Sequence, residues 1–148
     1  MQPRDRATYR GKRWATRQRL WVDRVASAWL IQRFIDLEAR FLWLSSPQEC
    51  PADAIGFDFD GAPFTHTAQR VTFEVIVASL GLLTDPALTR LGMLVDALDV
   101  GGGPMPEAAG LEAILTGMQA FCSDDDQLLT AMLPVLDACY AALRQASA

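Results

Sequence analysis

Apolar residues follow helical spacing through most of the second half of the chain and strand-like spacing in two stretches of the first half. Over residues 24–36, Val25, Ala26, Ala28, Trp29, Leu30, Ile31, Phe34 and Ile35 cover nearly the whole circumference of a helical wheel. A helix that is apolar all round is a buried helix. Asp23 stands just before it, where a carboxylate can accept the exposed backbone N–H groups as an N-cap. Arg33 falls inside the apolar sector, between Trp29 and Ala26. A buried guanidinium needs a carboxylate or a bound anion, and Asp36, Asp96 and Asp99 are its candidate partners.

Residues 39–45 read as a strand with two largely apolar faces, and Pro47 to Pro51 as a loop. Residues 54–60 alternate: Ile55, Phe57 and Phe59 point one way, Asp58 and Asp60 the other. Gly61 then makes a turn, and Pro63 to Thr67 form a loop or short extended piece. A β-branched stretch beginning at Val71 leads into a helix over about 72–82. Asp85-Pro86 pairs an N-cap with proline at the first helical position and opens a helix to about Asp99. Gly101 to Pro104 break the chain. The next helix opens at Pro106-Glu107, with Ala108, Leu111, Ile114, Leu115, Met118 and Phe121 as its core stripe. The last begins at Ser123, carries Asp124 to Asp126 at its positive end, and is expected to kink at Pro134. These elements predict a single α+β domain, mostly helical, with about five helices and a small sheet of two or three strands. It spans residues 21–148 and is preceded by a partly disordered arm over 1–20.

Charge changes the picture of that arm. The chain of 148 residues carries net charge −5, but residues 1–24 hold eight basic groups against two acidic ones, and the remainder five against 16. A basic arm can track phosphate or lie against the domain's own acidic surface. Nucleic-acid binding is therefore expected only weakly, through the arm. No export signal and no membrane-length apolar run is visible, and three cysteines without a CxxC motif suit reduced thiols. A cytoplasmic location is the expectation.

The scarce residues exclude mechanisms. One histidine, His66, rules out an HExxH zinc site or a histidine relay. One lysine, Lys12, leaves no Walker lysine, and Gly101 to Gly103 lack the phosphate-loop pattern. Ser27 and Thr65 have no histidine–acid pattern for a hydrolase triad. What remains is oxygen-rich. His66 follows Asp58 and Asp60 and precedes Glu74, a donor set suited to Mn, Fe or Zn. Separately, Arg24 lies in the first turn of a helix, where N–H groups and arginine together favour a tetrahedral oxyanion.

The segment Val-Asp-Arg-Val-Ala-Ser-Ala-Trp-Leu-Ile-Gln-Arg-Phe-Ile-Asp (22–36), with Glu-Ala-Arg-Phe-Leu (38–42), resembles the opening of the ChrB C-terminal domain family. Phe57-Asp58, Phe64-Thr65-His66, Thr72-Phe73-Glu74, Gly81-Leu82, Asp85-Pro86-Ala87-Leu88, Ala109-Gly110-Leu111 and Asp137-Ala138-Cys139-Tyr140 continue the likeness in order, over roughly 20–143. The resemblance implies a link to bacterial chromate resistance. Many members have histidine at the position of Trp21, cysteine at that of Val71 and His-Asp at that of Asp96-Ala97, so this chain has fewer soft donors and keeps oxygen donors. The DNA binding associated with an additional regulatory region in longer members is not carried over.

The leading expectation is an accessory or sensor domain in chromate or related oxyanion stress. Its metal ligands would be Asp23, His66, Glu74 and Asp99, and its anion-binding residues Arg24 and Arg33. The alternative is a metal-dependent enzyme using Glu74 or Asp23 as base. A third reading is an interaction domain that uses the basic arm.

Overall fold

A computed structural model describes residues 5–147. Its sheet has three parallel strands, β1 (Arg13–Arg17), β2 (Arg40–Leu44) and β3 (Ala54–Gly56), in the order β2-β1-β3. Five helices follow the strands or connect them: α1 (Val22–Leu30), α2 (Thr72–Ser79), α3 (Pro86–Asp99), α4 (Ala108–Phe121) and α5 (Asp125–Ser147). The expected α+β architecture, five helices on a small sheet, is the one observed. No helix among the described residues is long and apolar enough to cross a membrane.

The arm is the main correction. Its second half is the central strand of the sheet, with Trp14, Ala15 and Thr16 fully buried between the exposed or half-exposed Arg13 and Arg17. Arginines bracket a three-residue buried run, so the composition looked like a solvated tail. Residues 6–9 form a short 3-10 turn that packs Tyr9 against Trp14 and Phe64. The part of the arm before residue 5 lies outside the described residues.

Asp36 explains how this segment is held. Its carboxylate accepts the backbone N–H groups of Gly11 (2.7 Å), Lys12 (2.8 Å) and Glu38 (3.1 Å) and the indole N–H of Trp14 (3.0 Å). Burial works against its charge, but these donors outweigh it and hold the carboxyl below its ordinary range.

The helix expected over 24–36 changes pitch. From Ile31 to Ile35 it becomes a π-turn, closed by the Asp36 N–H on Ile31 O at 2.7 Å. The wider turn shifts the wheel on which Arg33 appeared buried. Arg33 is instead half exposed and grips Asp137 through Nε and Nη2, each at 3.0 Å, while Trp29 Nε1 donates to the same carboxylate at 2.7 Å. Its partner is thus Asp137 on α5, not Asp36, Asp96 or Asp99.

The strand expected over 54–60 ends at Gly56. Phe57 still donates its N–H to Ala15 O of β1 at 2.9 Å and bridges to Phe64, and Asp58 turns into the left-handed region at φ 58°. Gly56 allows the Phe59 ring to fold back, since a Cβ there would lie 2.4 Å from its Cζ.

The main core joins Trp14, α1, Phe57, Phe64 and the inner faces of α2, α3, α4 and α5, while Ala15, Leu44 and Phe59 form a smaller core on the other side of the sheet. In α4 only Leu111 and Leu115 of the expected stripe are fully buried; Ile114 is exposed and Phe121 is 87% exposed. Phe121→Ser is therefore expected to shift stability by no more than about 0.5 kcal/mol, the surface range. A chemical melt showing the several kcal/mol cost of a core phenylalanine would contradict this placement.

Candidate functional site at the carboxyl edge of the sheet

The chain leaves the carboxyl end of β1 through α1 towards β2 on one side and then returns past β1 to β3 on the other, so the strand order reverses between β1 and β3. Such a switch point opens a crevice beyond the strand ends. At this edge stand Arg17 to Leu20, the start of α1, and Phe57-Asp58. Arg19 (φ 63°) and Asp58 (φ 58°) both take left-handed conformations at this edge, a cost of order 1 kcal/mol or more for a residue with a Cβ.

Asp23 is buried at 2% exposure and does not cap its own helix, which begins at Val22 with Trp21 as N-cap. Its carboxylate instead caps α2 from across the core. Oδ2 accepts the N–H of Thr72 and Oδ1 that of Phe73, each at 2.9 Å, and the Ser27 hydroxyl donates at 3.3 Å. Glu74 supplies the local half of that cap by accepting the Val71 N–H at 3.2 Å. Burial pushes the Asp23 carboxyl up to about 7, with Asp58 and Asp99 adding and the two N–H groups opposing.

Thr72 joins Asp23 to Asp58, because its hydroxyl donates to Asp58 Oδ1 at 2.7 Å. Asp58 also faces Arg24 Nε and His66 Nδ1, each at 3.9 Å. Arg24 is itself occupied, donating from Nη2 to the Arg19 carbonyl at 3.0 Å. Burial and the neighbouring Arg17 lower its pKa, against the pull of Asp58, Asp125 and Asp99. Asp99 is raised by burial and by Asp58, with Arg24 and His66 opposing.

His66, Arg70, Val71, Asp96 and Asp99 line a cavity of about 230 Å³ beside this cluster. Three positions at which the family resemblance pointed to altered or retained donors, Val71, Asp96 and Asp99, thus meet around His66. Glu74 lies in a neighbouring cleft with Arg70, Val77 and Leu88, its carboxyl raised mainly by burial. Arg33 is remote from the cluster, in its pair with Asp137.

The expected set therefore divides. His66 and Asp99 share the cavity, Asp23 supports it from within the core, Glu74 stands next door, and Arg24 faces Asp58 rather than an open space. Among the described residues no group of three His, Cys, Asp or Glu side chains is arranged to hold a metal ion. Asp58, read with Asp60 as a donor beside His66 but absent from the expected ligand set of Asp23, His66, Glu74 and Asp99, is the central residue. Its signal was the alternation Phe57-Asp58-Phe59-Asp60 just ahead of His66.

Comparison with known proteins agrees with the resemblance in sequence. The chain is 57% identical over 137 residues to Protein ChrB of Cupriavidus metallidurans, an alignment that covers 93% of this chain and 42% of that protein. The chain thus spans less than half the length of that relative. No solved structure matches. The family described as "ChrB, C-terminal domain" matches residues 14–143, a range that begins inside β1 and includes every residue of the carboxyl-edge cluster, and the chain belongs to that family.

Proposed function

We propose that this chain is a chromate-resistance-associated sensor or accessory domain, and that its carboxyl-edge cluster binds a divalent cation. The chromate association rests on membership of the ChrB family. The choice of a cation rests on one observation: Asp58 stands at this edge against Thr72 and His66, with Asp23 and Asp99 near enough that Asp58 adds to the rise that burial already gives their carboxyls. That excess of negative potential favours a cation and opposes an oxyanion. Arg24 does not offset it for an external anion, because its guanidinium already meets Asp58 and the Arg19 carbonyl.

Imidazole and carboxylate donors suit Mn, Fe or Zn by chemistry. A hard cation that keeps much of its water needs only one or two carboxylates, which favours Mn over Zn for donors as spread out as these. His66 and Asp99, which share the cavity, would face a largely hydrated ion there, with the Asp58 carboxylate adding negative charge from behind; among the described residues no three side chains are arranged as a complete ligand set. The enzyme alternative is less well supported. Asp23 as a base would need an open face, whereas its oxygens already serve Thr72, Phe73 and Ser27.

Binding of Mn²⁺, followed by electron paramagnetic resonance, tests this reading. The parent chain is expected to bind one ion, and His66→Ala and Asp58→Asn to weaken it about tenfold each, the equivalent of about 1.4 kcal/mol. No binding at millimolar Mn²⁺, or equal binding by both variants, would remove the cation site. Calorimetric binding of chromate or sulfate that disappears in Arg24→Ala would replace it with an oxyanion site.

A further inference from the structure

A second groove lies at the opposite edge of the sheet. Residues 6–10 lead into the start of β1 and residues 33–37 into the start of β2, and together they enclose about 380 Å³ lined by Arg6, Arg10, Arg33, Phe34, Asp36 and Leu37. We infer that this groove binds a phosphate-type anion carried on an apolar or aromatic body, such as a mononucleotide.

Three guanidinium groups border the space, and the charge of two of them is unspent. Neither Arg6 nor Arg10 forms an ion pair with a carboxylate among the described residues. Arg33 is held in place by Asp137 through Nε and Nη2, which leaves Nη1 outside that pair. The carboxylate of Asp36 belongs to the groove's lining but is saturated by its four N–H donors. The nearby Asp5 carboxylate accepts the Ala7 N–H. Planar guanidinium forks bind phosphate through paired, charge-assisted hydrogen bonds.

The remaining wall is apolar. Phe34 is braced edge-on by Trp29 and Tyr140, with centroids 5.6 and 5.3 Å apart, and Leu37 is 71% exposed at the lip. The π-turn of residues 31–35 carries Arg33 and Phe34, and Leu37 follows just after it on the lining of the space. Turns of this kind recur at functional sites. The volume is in the range of small-molecule sites. A bare inorganic anion would use only the arginines, and a long polyanion would pass over Phe34 and Leu37 without needing them.

Titration calorimetry on the 148-residue chain with ADP, adenosine, pyrophosphate and a short DNA duplex tests the inference. ADP is expected to bind at least about tenfold more tightly than adenosine or pyrophosphate. The double variant Arg6→Ala/Arg10→Ala should weaken ADP by about tenfold or more, and Leu37→Asp by a similar factor. Arg90→Ala, an exposed change on α3, and His66→Ala, at the carboxyl edge, should leave it unchanged. The His66 control separates this groove from the cation site, on which it does not depend. Because Arg6, Arg10 and Leu37 are exposed, the variants are expected to melt with the parent, which circular dichroism checks. Three results would overturn the proposal: no ADP binding at millimolar concentration, pyrophosphate as tight as ADP, or duplex binding without ADP binding.

Discussion

Asp36→Ala is expected to cost about 3–5 kcal/mol of folding stability, a large share of the roughly 5–15 kcal/mol that a domain of this size possesses. The side chain is 1% exposed and accepts four hydrogen bonds, three from backbone N–H groups and one from the buried Trp14 indole. Removing the acceptor leaves those donors with no protein partner, and an unmet buried donor costs about 1–3 kcal/mol. Gly11, Lys12 and Glu38 lie near the surface and can recover water, whereas Trp14 cannot. The total therefore stays below four times the full penalty. Asp36→Asn should fall between alanine and the parent, since its one amide oxygen still accepts. The sign of the pH dependence follows from the lowered carboxyl. The stabilisation is fully present above the ordinary carboxylate range and is lost as pH falls through the folded-state value. Urea melts at pH 7 measure the mutational cost; a loss below about 1 kcal/mol would show that the segment before β1 is not held by this carboxylate.

That segment also shows where sequence and structure part. Helix α3 was legible because its signals are local: Asp85 accepts the N–H groups of Ala87 and Leu88, and Pro86 fills the first position. Strand β1 was not. Its stability comes from pairing with Arg40–Leu44 and Ala54–Gly56, and from an acid more than twenty residues away. Arg33 called for an acid, and the sequence could not say that the acid was Asp137, 104 positions distant, because a π-turn altered the wheel used to place it. At the carboxyl edge the residue types were readable: His66 was named from its chemistry and Asp99 through the family resemblance, and the two do share one cavity. Their geometry was not readable. It depends on Asp58 leaving the strand in a left-handed conformation and on Asp23 capping a helix 49 residues further along. An N-cap signature identifies a carboxylate that wants backbone N–H groups; it does not specify whose.

Asp23 should make the domain less stable as pH rises from about 4 to 7. In the unfolded chain its carboxyl has the ordinary value of 3.8, and in the fold burial pushes it up to about 7. Between those values the folded state holds the extra proton, so the unfolding free energy falls with increasing pH and the stabilisation is gone above the folded pKa. At about 1.36 kcal/mol per unit, the span is worth roughly 4 kcal/mol. Asp99 and Glu74 are raised as well and add a slope of the same sign, so the informative quantity is the difference between the parent and Asp23→Asn. The amide cannot titrate, and it offers one acceptor to the two N–H groups of Thr72 and Phe73, at a pH-independent cost of about 1–3 kcal/mol. Asp23→Asn is therefore expected to be less stable than the parent at pH 5 and to draw level with it or overtake it by pH 8. Asp23→Ala, which leaves both N–H groups of α2 without an acceptor, should be the less stable of the two variants at pH 5. Parallel stability curves for the parent and Asp23→Asn across that range would mean that Asp23 is ionised throughout and that its charge is met inside the core, by Arg24 or another group, rather than by a proton.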